Sequence, residues 1–280
     1  MYKYTKSLIL CGLLLTQAFS QTQTRWGLPE WFEMSTYAVN DYNPSLSDGS
    51  NKDLDRSLAD ATQFATQLKS KINAKYPNVY ANWSIKRENW DATKANFTAD
   101  NTNNNEALMF RGHGNAGKIF FGNWATADRY TKQFGGYTKW VFFNSCLTMD
   151  QTVPELSYYF NGAHAIFGHL AFTYEFINSY SCSLVGCNHH RSEDVWADFA
   201  TRWITNGETI WDAYKYSMQS KVYSMGSLPG LRPKVAYIVG TGDNGQAFSG
   251  DTERFQNVYN GPIYGTVGTR SISFGTPQYN

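Results

Sequence analysis

Charge is scarce in this 280-residue chain: 17% of residues are charged, 24 basic against 23 acidic, and no run of one sign occurs. That excludes the basic stripe or patch on which nucleic-acid binding rests. No stretch past the first residues approaches about 18 uninterrupted apolar side chains, so no membrane-spanning helix is expected. There is no internal repeat, and no low-complexity tract beyond the polar run DNTNNN at residues 100–105. Paired carboxylates at strand ends are also missing. Asp91, Asp100, Glu155 and Asp212 read as helix-terminal or loop charges, which weakens any glycosidase reading.

Cysteine is the other shortage, with four in the whole chain. The opening residues MYKYTKSLILCGLLLTQAFSQ carry Lys3 and Lys6, an apolar core from Leu8 to Leu15, and the small-x-small sequence Ala18-Phe19-Ser20. They are expected to form a signal peptide spanning residues 1–20 of a secreted protein. Cys11 does not sit in a lipobox, because Leu10 stands where a small residue is needed. Cleavage would take two lysines and one cysteine, leaving a net charge near −1 and the thiols Cys146, Cys182 and Cys187.

In an oxidising compartment an odd count leaves one thiol over. Cys182 and Cys187 flank the turn-like SLVG and are expected to close a small disulfide loop. With His189 and His190 they also spell C-x4-C-x-H-H, four zinc-ligand types, but adjacent histidines cannot easily face one tetrahedral ion. No metal and no cofactor are expected. Cys146, in FFNSCLTM, is the odd thiol.

The elements alternate between helix and strand. From Lys52 to Lys75 apolar residues recur every three or four positions, and Pro77 follows, as in an amphipathic helix. Val79 to Ile85, Ala107 to Phe110, Lys139 to Phe143, Ala163 to Phe167 and Pro233 to Gly240 read as strands. A helix begins at Ser192 and ends at Asn206-Gly207, and Thr209 to Asp212 forms a capping box for another. Short, wholly apolar strands separated by helices predict an α/β fold, a mostly parallel sheet with helices on both faces. The domain spans residues 21–240, followed by a Gly/Asn/Thr-rich β extension packed on it over 241–280.

Two of the strands end in reactive residues. MFRGHG puts His113 and Gly114 after one, and VFFNSC puts Cys146 after the other. Ligands of open α/β sheets bind outside the carboxyl ends of the strands, so neighbouring strands would bring the two residues to one crevice. The thiol of Cys146 can then act as nucleophile with His113 as its proton partner. The backbone N–H groups of Gly114 and Cys146 can receive an oxyanion.

An apolar run ending in His-Gly, then an apolar run ending in x-Cys, resembles the caspase, legumain, clostripain and gingipain group of cysteine peptidases. The likeness extends to FNGAHAIFG at residues 160–168 and to the helix around NGETIWDA at 206–213. It implies a caspase-like fold, hydrolysis of a peptide or protein substrate by His113 and Cys146, and a specificity pocket for which Asp150 is a candidate. His169, just past a strand's carboxyl end, is a second candidate for substrate binding; His164 reads as a core histidine. Leu147 departs from the small or polar residue that often follows the cysteine.

Two alternatives stay open. One is a catalytically inactive secreted module of the same fold that binds protein or glycan. The other is a secreted carbohydrate-active protein, suggested by 9 Trp, 19 Tyr and 18 Phe. The sequons Asn82-Trp83-Ser84 and Asn96-Phe97-Thr98 would make it a glycoprotein in a eukaryotic source.

Overall fold

The computed structural model describes residues 26–43, 53–135, 137–150, 156–170, 179–183, 186–190, 193–223, 234–241, 250–260 and 265–273. The leader at 1–20, Glu155 and Ser192 lie outside these residues. Among them, no helix is long and apolar enough to cross a membrane.

Seven strands form the central sheet: β1 (Trp31–Ala38), β2 (Tyr80–Glu88), β3 (Ala107–Arg111), β4 (Trp140–Asn144), β5 (Ala165–His169), β6 (Lys234–Thr241) and β7 (Gly265–Ser273). Their order is β7-β6-β5-β4-β3-β1-β2. The five strands from β2 to β5 run parallel, and β6 and β7 add antiparallel pairings at one edge. The three apolar runs at the centre, β3, β4 and β5, are buried at every position. They can be apolar on both faces because both faces are covered.

Side chains alternate across the pleat. Met109, Trp140, Phe142 and Phe167 point to one side, where α1 (Ser57–Lys75) packs through Phe64, Leu68 and Ile72. The shorter α2 (Lys94–Ala99) belongs to the other side, where Phe97 joins Leu108, Phe110, Val141, Phe143 and Ile166. A small three-stranded meander through residues 114–128 completes that second layer with Ile119, Phe121 and Ala127. On the first side α3 (Asp194–Ala200) and α4 (Ile210–Tyr223) add Trp196, Phe199, Tyr214 and Met218. Helices therefore flank the sheet on both faces, with the long ones on one.

Local signals act as read from the sequence. Thr209 Oγ1 accepts from the Asp212 N–H at 3.1 Å and donates to its carboxylate at 3.0 Å, a capping box at the start of α4. Residues 201–206 continue α3 as a π-type turn that ends at Gly207, whose φ is 71°. The C-terminal tail contributes a strand. Gly265–Ser273 forms β7, hydrogen-bonded to β6, and Phe255 and Val258 enter the same core as α1.

Candidate active site

The parallel register pairs Arg111, the last residue of β3, with Asn144, the last of β4. His113 and Cys146 stand two residues beyond these partners, so they leave neighbouring strands side by side at the sheet's carboxyl end. Gly114 brings the two backbones into contact. A Cβ there would lie 2.4 Å from the Cys146 carbonyl oxygen and 3.0 Å from its nitrogen, so only glycine permits this approach. The two expected oxyanion donors are thus on adjoining chain segments.

A hairpin holds the arrangement from above. Gly114–Asn115 pairs antiparallel with Lys118–Phe120, and the Gly117 N–H at its tip donates to the Leu147 carbonyl at 3.1 Å. Tyr159 Oη donates to the Gly117 carbonyl at 2.8 Å. On the cysteine side, Cys146 is a half-buried thiol. The turn after it is tied by Asp150 N–H to Leu147 O at 3.1 Å and by Met149 N–H to His169 O at 3.0 Å.

Beneath the turn lies a buried polar network. Arg111 Nε donates to Asp60 Oδ2 at 2.7 Å, and another guanidinium nitrogen donates to the Asn144 carbonyl at 2.8 Å. The ion pair joins α1 to β3, and the bond to Asn144 adds β4, at the strand ends that precede His113 and Cys146. His169 Nε2 lies 3.1 Å from Asn144 Oδ1, which assigns the ring proton to Nε2. Burial, and secondarily the Arg111 charge, push the His169 pKa down to about 3, so the ring is neutral. His169, the second candidate for substrate binding, is 2% exposed and packs against the cysteine turn. Asp150 is half-buried on that same turn.

Three residues other than glycine have left-handed backbones among the described residues. Leu147 (φ 54°) follows the cysteine. Trp124 (φ 61°) places its ring 5.8 Å from that of His113. Asn89 (φ 47°) uses Oδ1 to accept from the Asn40 N–H, fixing the loop that carries Tyr42. Such conformations cost about 1–3 kcal/mol each and concentrate at functional sites.

Tyr42, Trp124, Asp60 and Arg111 were not singled out by the sequence. Arg111 alone left a trace, a charge between an apolar run and a glycine. Of the other expected residues, Cys182 and Cys187 are direct partners in an antiparallel hairpin, as are Tyr180 and His189. Their side chains lie outside the described residues. Among the described residues, no group of three His, Cys, Asp or Glu could hold a metal ion.

Sequence comparison finds no matching family model and no matching curated protein. Structural comparison finds likenesses to the Arg-specific cysteine proteinase gingipain R (TM-score 0.46, 11% identity, 86% of this chain and 66% of that one). It also finds the caspase-1 pro-form pro-sf-caspase-1 (0.41, 10% identity, 73% and 83%) and a protein from Geobacter sulfurreducens (0.41, 13% identity, 84% and 100%). This chain thus spans just under two thirds of gingipain R. All these TM-scores lie below 0.5, so the likenesses name neighbours in overall architecture and carry nothing about chemistry.

Proposed function

We propose that this protein is a cysteine-peptidase-like hydrolase in which Cys146 attacks a peptide carbonyl and His113 manages the proton. The observation that supports it most is the paired exit of the two residues from β3 and β4, with Gly114 packed on the Cys146 backbone. The thiolate adds to the carbonyl carbon, and the backbone N–H groups of Gly114 and Cys146 take up the charge on oxygen. His113 delivers its proton to the departing amine, and water then releases the acid from the thioester.

The same reading includes secretion, removal of residues 1–20, and a Cys182 to Cys187 disulfide. Directly paired antiparallel residues have Cα atoms about 4.5–5.5 Å apart, inside the range a disulfide spans. Asp150 would border the pocket that selects the substrate.

The test is hydrolysis of a fluorogenic peptide library by the wild-type chain and by Cys146→Ala and His113→Ala. Each substitution is expected to lower turnover by about a thousandfold or more. Full turnover with Cys146→Ala, or none by the wild-type chain against any peptide, would contradict the proposal; the latter favours the inactive module.

A further inference from the structure

The rings of Tyr42, His113 and Trp124 close a triangle, with centroids 4.6 Å apart for Tyr42 and His113, 4.8 Å for Tyr42 and Trp124, and 5.8 Å for His113 and Trp124. The indole lies nearly parallel to the imidazole, at 12°. Tyr42 is buried to 3% exposure and comes from the loop after β1, far from His113 in sequence. Its hydroxyl accepts the His113 N–H at 2.7 Å and donates to the Phe120 carbonyl at 3.1 Å. The His113 carbonyl in turn accepts the Phe120 N–H at 3.1 Å. Tyr42 therefore grips His113 through both backbone and ring.

Trp124 is held as firmly. Its Nε1–H donates to the Asn43 carbonyl, one residue from Tyr42, at 2.9 Å. Its backbone adopts the left-handed conformation, unfavourable for a bulky residue, and its ring lies over the imidazole. Tyr42 N–H is itself anchored on Asp53 at 2.8 Å. Two loops from different strands thus converge from the second core onto one half-exposed histidine.

Resting on the His113 and Cys146 reading, we propose that Tyr42 and Trp124 are positioning residues that fix the His113 imidazole in the orientation that activates the thiol. A thiol reacts through its thiolate, whose fraction depends on the partner imidazole. Loss of either ring frees the imidazole to turn away, and a misplacement near 1 Å can cost a factor of up to about a hundred.

The experiment measures the rate of Cys146 alkylation by iodoacetamide in the folded chain, alongside the thermal midpoint. Trp124→Gly removes the indole while suiting the left-handed backbone, and Trp124→Phe keeps an aromatic face while also losing the bond to Asn43. Tyr42→Ala and Tyr42→Phe make the matching pair. Trp124→Gly and Tyr42→Ala are expected to slow alkylation about tenfold or more, with Trp124→Phe within about threefold of wild type. A role in stability alone would lower the thermal midpoint and leave the rate of the folded protein unchanged, which overturns the proposal. Should Tyr42→Ala not fold, the Trp124 pair decides. His113→Ala separates the two readings: if it alkylates at the wild-type rate, the pairing of His113 with Cys146 fails; if it is slow while Trp124→Gly is not, only the positioning role fails.

Discussion

At the amino ends of β4 and β5 the Glu253 carboxylate accepts the Trp140 indole N–H at 3.1 Å and the Tyr259 N–H at 2.8 Å, and lies 2.7 Å from His164 Nδ1. At the carboxyl ends, Ser145 Oγ and His169 Nδ1 are buried with no hydrogen-bond partner among the described residues, and the chain turns through left-handed residues. The same strands thus end on one side at a carboxylate that gathers several partners, and on the other in a left-handed turn with two unmet polar atoms beside the Arg111–Asp60 pair. Left-handed backbone next to Cys146 and two unmet polar atoms mark the carboxyl ends, where His113 and Cys146 stand.

The sharpest way to break this contrast is at the ion pair beneath the site. Arg111→Met leaves Asp60 charged and buried, and should cost about 3–5 kcal/mol in denaturant titration. A loss below 1 kcal/mol would mean that the pair does not tie β3 and β4 to α1. Glu253→Ala strands the Trp140 and His164 donors at the other end and should cost about 2–4 kcal/mol. It should leave the Cys146 alkylation rate unchanged; a slower rate would join what the comparison keeps apart.

His169 sharpens the contrast through pH. Its ring is neutral in the native chain down to about pH 3, whereas the unfolded chain takes up a proton near 6.5. Stability is therefore complete above pH 6.5 and falls as pH drops towards 3, by up to about 1.4 kcal/mol per pH unit. His169→Gln should flatten that part of the profile. The smallest effect belongs to Leu147→Gly, which removes a left-handed side chain next to the cysteine. It should gain about 0.5–1 kcal/mol, the strain relief less the extra entropy of the unfolded glycine. A loss instead would show that the Leu147 side chain repays its strain in contacts.

The fold was legible where burial is complete. ALMF, KWVFF and AHAIF read as strands because both their faces are covered, and so did the α1 periodicity and the Thr209 cap. Trp31 to Ala38 escaped notice: β1 lies inside the sheet yet carries Glu33, Ser35 and Thr36, which break an apolar pattern. Thr36 Oγ1 accepts from the Trp83 indole N–H, so this polar position is tolerated through a partner far away in sequence. For the same reason His113 and Cys146 stood out while Tyr42 and Trp124 did not. A strand end has a local signature, but a ring arriving from another loop has none until the chain is folded.

The most direct test is the alkylation of Cys146 in the native protein, read by mass spectrometry for the wild-type chain and His113→Ala. The account predicts ready labelling at neutral pH without denaturant, slowed about tenfold or more when His113 is removed. Labelling that requires denaturation, or that proceeds at the same rate without His113, would contradict it.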